Sequence, residues 1–182
     1  MKKLFFMFLL TLLCANITFG DETAKNSISG GANFFYCFFL GKSGFLPPGL
    51  SIEYERMLGN KFSVGAEIGG SIGGNIGILP YVEIRGRYYP WSKMFFIGVG
   101  LGICIFAGYQ WYSIFNEDGT MEGIRTWETE IFPSASLEFG WKIDIGKTKK
   151  WLLLPSAAGV VVFDYFYPEF IARLNMKIGY KF

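Results

Sequence analysis

Two pairs of glutamates, Glu53/Glu55 and Glu128/Glu130, stand two residues apart. On an extended chain this spacing puts both carboxylates on one face, where a pair can do general acid–base work or hold a cation. Gly98-x-Gly100-x-Gly102 has the look of a phosphate-binding loop. Trp111, Tyr112 and Phe115 lead into an acidic run containing Glu117, Asp118 and Glu122. Such a segment suits a host ligand, a lipopolysaccharide-like lipid or a divalent cation, although it lacks the regular oxygen spacing of an EF-hand.

Against these candidates stands an absence: the 182 residues contain no histidine. Ser–His–Asp triads, Cys–His pairs and histidine metal sites are therefore excluded. The glycine triplet also fails its own requirement, because a phosphate loop follows a strand and opens a helix. Here the glycines fall inside a strand-like run. No cofactor and no metal are expected, and the chain is read as a non-enzyme. An enzyme of unfamiliar chemistry, using the carboxylate pairs, is the less favoured reading.

The elements that must position these residues begin after an address. Residues 1–20, MKKLFFMFLLTLLCANITFG, run from Lys2 and Lys3 through an apolar stretch to small and polar residues. That is the order of a secretory signal peptide. The apolar run, Leu4 to Leu13, is too short to span a bilayer as a helix. Bulky residues before Cys14 argue against lipidation. Export through the secretory pathway would leave one domain, residues 21–182, with 15 bases against 15 acids. A neutral chain without a basic block is a poor partner for nucleic acid. The two remaining cysteines, Cys37 and Cys104, lie in apolar runs and are read as buried thiols.

Beyond residue 20 the recurring period is two, that of a strand. In the last segment Phe170, Ala172, Leu174, Met176, Ile178, Tyr180 and Phe182 share one parity, and the other carries Arg173, Asn175, Lys177 and Lys181. The split repeats over residues 50–56, 62–69, 82–88, 95–108 and 135–144. The apolar faces of these six strands hold one charge, Arg56, at a strand end. Two further segments, 32–40 and 151–163, are apolar on both parities, with Asn33 and Ser156 marking the inward side.

Eight strands need seven connections. Leu58–Lys61, Pro90–Lys93 and Gly146–Lys150 are short and rich in turn formers. They alternate with Gly41–Pro48, Gly69–Ile76, Tyr112–Arg125 and Asp164–Glu169. Short turns at one end and longer loops at the other are the pattern of a transmembrane β-barrel. The expected fold is all-β: an eight-stranded antiparallel up-and-down transmembrane barrel. Alternation alone does not say which face sees lipid, and a soluble lipid-binding barrel would invert the faces. Mid-strand charges on the polar parity, and aromatics near the short turns (Tyr88, Trp91, Trp141, Trp151), favour lipid outside.

The ending Met176-x-Ile178-x-Tyr180-x-Phe182 resembles the C-terminal assembly signal of bacterial outer-membrane proteins. The chain from about residue 27 onward is similar in pattern to the small eight-stranded family typified by OmpX and the OmpA membrane domain. The resemblance implies an outer-membrane barrel inserted by the barrel-assembly machinery, with both termini periplasmic. Its partners would be outer-membrane lipids and an unknown surface ligand, with the chain a monomer.

On the inward parity six acids (Glu53, Glu55, Glu67, Glu83, Glu138, Asp144) face six bases (Arg85, Arg87, Lys142, Arg173, Lys177, Lys181). Equal numbers permit neutralisation inside a barrel just wide enough to be filled by its own side chains. The reading is a closed, salt-bridged lumen and a structural or surface-interaction role. The alternative is a narrow channel or carrier for small hydrophobic solutes, as in barrels resembling OmpW.

Overall fold

The structure is a computed structural model that describes residues 26–39, 42–45, 48–72, 78–90, 94–115, 121–163 and 168–182. The expected signal peptide lies outside them. The strands are β1 (Asn26–Phe39), β2 (Lys42–Phe45), β3 (Gly49–Leu58), β4 (Phe62–Ile72), β5 (Ile78–Tyr88), β6 (Phe95–Phe115), β7 (Met121–Trp141), β8 (Ile143–Ile145), β9 (Trp151–Phe163) and β10 (Pro168–Lys181). Eight of them close an antiparallel barrel in the order β1-β3-β4-β5-β6-β7-β9-β10, with β10 pairing back onto β1. Closure leaves no strand edge exposed to hydrocarbon, as a membrane-spanning sheet requires.

β2 and β8 are short continuations. β2 pairs with β1 above the point where β3 takes over. β8 carries β7 past Lys142 and pairs with β9. Period-two alternation becomes burial directly. Along β3, Ser51, Glu53, Glu55 and Met57 are buried while Leu50, Ile52, Tyr54 and Leu58 are exposed. Leu50 is 73% exposed and Leu101 71%. An outer wall this apolar is stable only against lipid or another apolar surface. At the short turns, Gly59 and Gly146 hold φ of 82° and 78°, values open to glycine at little cost.

All four longer connections are shorter than expected: Gly69–Ile72 extends β4, Pro168 and Glu169 open β10, and the other two differ more. Lys42–Phe45, placed in a loop by the sequence, forms a strand against β1. Tyr112–Arg125, also expected as a loop, is largely ladder: β6 and β7 pair without a break from Phe95↔Trp141 to Phe115↔Met121. β5 leaves β6 at Ala107, and β9 leaves β7 at Ser134. Beyond those rungs the β6–β7 hairpin continues as a two-stranded ribbon that no other described strand joins. Its eight β6 residues past Ala107 extend about 27 Å at a strand rise of ~3.4 Å each. Outside the membrane the ladder needs no apolar alternation, so sequence periodicity could not mark its end.

Candidate functional site: the barrel lumen

Inward side chains form three layers. Near the short turns, Met57, Tyr89, Phe96, Leu152 and Leu154 make an apolar floor. At the other end, Phe35, Leu79, Tyr81, Phe132, Val160, Val162, Ile171 and the thiols of Cys37 and Cys104 make an apolar roof. Both cysteines are free and buried. Between floor and roof lies the charged layer.

That layer is built from a row that should repel itself. Glu53 on β3 stands directly opposite Glu67 on β4, which stands opposite Glu83 on β5. Like charges across neighbouring strands are destabilising, so bases must reach the row. Arg85 extends from β5 and reaches four carboxylates, the three of the row and Glu138. Its Nη2 lies 2.7 Å from Glu83 Oε2, its Nη1 pairs with Glu67, and the same Nη1 is 3.6 Å from both Glu53 and Glu138. Arg87 pairs with Glu53 through Nη1 and donates to Glu138 Oε2 from Nε (3.0 Å) and Nη2 (2.9 Å). Lys177 Nζ sits 2.7 Å from both Glu53 and Glu67. Arg173 Nη2 donates to Glu83 at 2.8 Å, and Lys142 Nζ to Glu55 at 2.6 Å.

Among the described residues the buried charges number five acids (Glu53, Glu55, Glu67, Glu83, Glu138) and five bases (Arg85, Arg87, Lys142, Arg173, Lys177). Hydroxyls and amides complete the set. Tyr89 and Ser63 donate to Glu55, Tyr81 to Glu67 at 2.6 Å, Ser156 to Glu138 at 2.7 Å and Ser136 to Glu83. Two aromatic rings take the guanidinium faces: Arg87 lies 4.5 Å from the Phe96 centroid and Arg173 4.9 Å from that of Tyr81. Such contacts favour arginine over lysine at these places.

Glycine makes the room. Arg85 is flanked in register by Gly65 on β4 and Gly100 on β6, and Arg87 by Gly98. A Cβ added at Gly100 would run into the Glu83 carboxylate and reach 2.5 Å from Ser136 Oγ. The triplet in β6 is thus a groove for charged side chains.

Several expected residues lie elsewhere. Asp144 and Lys181 share the inward parity but stand at the short-turn rim, paired with each other, their side chains 36% and 19% exposed. Parity continues to the end of a strand, whereas enclosure stops at the rim. Glu128 and Glu130, the second carboxylate pair, belong to the ribbon beyond Ser134, with Glu130 exposed. Of the two lumen bases on β10, Lys177 pairs with Glu53, the acid two strands away, and Arg173 pairs with Glu83. In the candidate surface loop, Trp111, Tyr112 and Phe115 belong to β6 and Glu122 to β7, while Glu117 and Asp118 lie outside the described residues.

Of the interfacial aromatics, Tyr88 packs on Phe62, Trp141 on Phe95 and Trp151 on Tyr180, with ring centroids 4.9, 5.8 and 5.4 Å apart, all at the short-turn end. Trp91 lies outside the described residues. Met176, Ile178 and Phe182 are exposed on the outer face of β10's final segment, and Phe182 exchanges backbone hydrogen bonds with Asn26. Sequence reading missed Tyr89 as a lumen group. One further step along the parity of Arg85 and Arg87 would have found it.

The geometry defines a small eight-stranded β-barrel of the outer-membrane type. Its solved structural neighbours are of that kind. Neisserial surface protein A aligns over 86% of this chain and 97% of its own, with a TM-score of 0.60 and 8% identity. Ail, the attachment invasion locus protein of Yersinia pestis, aligns over 87% and 99% with a TM-score of 0.55 and 14% identity. The N-terminal β-barrel domain of Pseudomonas aeruginosa OprF aligns over 87% and 100% with a TM-score of 0.52 and 12% identity. No known family and no curated protein matches the chain.

Proposed function

We propose that this protein is a non-catalytic barrel of the outer membrane with a structural or surface-interaction role and a lumen sealed by its own charges. One observation carries the reading: five buried acids meet five buried bases between an apolar floor and an apolar roof. An ion-selective pore would line its path with one sign in excess. Each of these five buried carboxylates is engaged by a cation, which argues against acid–base work in the lumen. The ribbon of β6 and β7 projects past the barrel wall and is the natural place for a surface contact. That two neighbours are named as a surface protein and an attachment protein supports the same reading. Secretory export, insertion by the assembly machinery and a monomeric state belong to the proposal.

Planar-bilayer recording tests it. The unmodified protein is expected to show little or no steady conductance, and Arg173→Ala to destabilise the barrel or open brief current steps. A large, stable conductance from the unmodified protein would overturn the sealed lumen and promote the channel or hydrophobic-solute carrier.

A further inference from the structure

The short turns share a feature that neither the lumen nor the ribbon uses. Two of them end on lysine just before an outward aromatic, Lys61-Phe62 and Lys150-Trp151, and Lys181-Phe182 closes β10. The aromatic partners look outward, with Phe62 56%, Trp151 53% and Phe182 64% exposed. Lys61, Lys147, Lys149 and Lys150 are exposed and form no ion pair among the described residues. Asp144, the exposed acid of this rim among those residues, is taken by Lys181. Lys181 is drawn to the turn by its own N–H, which donates to Lys150 O at 2.8 Å. Lys149 keeps a lysine side chain at φ 52°, in a region where glycine or asparagine is cheaper.

The opposite end has the reverse sign. Among the described residues its connections and ribbon carry Glu122, Glu128, Glu130 and Glu169 against Lys42 and Arg125. The lysines that precede β4 and β9 occupy different sectors of the barrel, since β5, β6 and β7 separate those strands on one side and β3, β1 and β10 on the other. A protein partner meets a patch on one side, whereas a collar meets what surrounds a barrel. Lysine stems lie along apolar surface while their ammonium groups reach the headgroup level. Bases held there attract anionic lipid.

We infer that the short-turn lysines, adjacent in sequence to the outward aromatics, form a collar that selects anionic phospholipid headgroups around the barrel. The inference needs only lipid outside the wall and is independent of whether the lumen conducts.

Spin-label resonance of the whole folded chain in phosphatidylcholine vesicles reads it directly. With trace labelled phosphatidylglycerol or labelled phosphatidylcholine, the relative association constant at the protein boundary should favour phosphatidylglycerol about fivefold at low salt. The ratio should fall toward one in 0.5 M sodium chloride, in keeping with screening over about 4 Å or less. K147Q/K149Q/K150Q should lose at least half of the preference, and Lys61→Gln, in another sector, a smaller part. A ratio of one for the unmodified protein would overturn the collar, as would a preference that survives the triple substitution intact. So would loss of preference in inorganic phosphate but not in chloride of equal ionic strength, which would mark a free-anion site.

Discussion

Lys177 on β10 donates to Glu53 on β3 at 2.7 Å across 124 residues of sequence, although β1 lies between the two strands. The same ammonium reaches Glu67 on β4 at 2.7 Å. One side chain from the last strand therefore ties two strands from the first half of the barrel.

Removing that tie exposes the price of burying like charges. Lys177→Met leaves Glu53 and Glu67 facing each other with Arg85 and Arg87 as their remaining cations. Breaking a buried pair from one side costs about 3–5 kcal/mol. Urea unfolding in lipid vesicles should show a loss of that size, and Lys177→Met combined with Glu53→Gln should recover part of it. A single substitution within about 0.5 kcal/mol of the unmodified protein would mean that the lumen is hydrated rather than sealed.

Neighbouring residues on β6 separate the two faces of the wall. Leu101 is exposed on the outer face, so Leu101→Arg should cost about 2–4 kcal/mol if it lies near the bilayer midplane. Gly100 faces inward, where an added methyl group meets the Glu83 carboxylate and Ser136. Gly100→Ala should therefore destabilise in detergent and in lipid alike, while Leu101→Arg should be worse in lipid. The same penalty in both solvents for Leu101→Arg would remove the lipid face.

The ribbon should be dispensable for folding. Among the described residues, no other strand pairs with it past Ala107 and Ser134. Replacing residues 110–126 by a short turn that joins Tyr109 to Trp127 should leave the heat-dependent gel shift of the folded barrel in place. Loss of that shift would show that the ribbon holds the wall together.

The thiols report on the roof. Cys37 is 1% and Cys104 6% exposed. A bulky maleimide should leave both unmodified in the folded barrel and label both after denaturation. Rapid labelling of the folded protein would open the roof and weaken the sealed reading.

How far the sequence carried these conclusions depends on what alternation encodes. It assigns a face, and the faces of Leu50 through Glu55 and of Phe95 through Gly108 were legible residue by residue. It does not assign height. Which base meets which acid depends on the stagger between strands, so Arg173 could be placed inside but its pairing with Glu83 could not be foreseen. Nor does alternation say where the wall ends. Asp144, Lys181, Glu128 and Glu130 keep the inward parity beyond the enclosed segment, one pair at the rim and the other on the ribbon.

The distribution of the buried charges along the chain bears on the order of assembly. The inward face of the β3–β4 hairpin carries Glu53, Glu55 and Glu67 and no base, and their cations come from β5, from Lys142 and from β10. A hairpin entering the bilayer by itself would bring three uncompensated carboxylates into hydrocarbon, a costly state. Stepwise entry, one hairpin after another, is thereby disfavoured, and the wall must cross as a nearly complete cylinder. A chain cut after β7 would lack Arg173 and Lys177. It should adsorb to vesicles and remain open to protease, whereas the full chain becomes protected in a single kinetic phase.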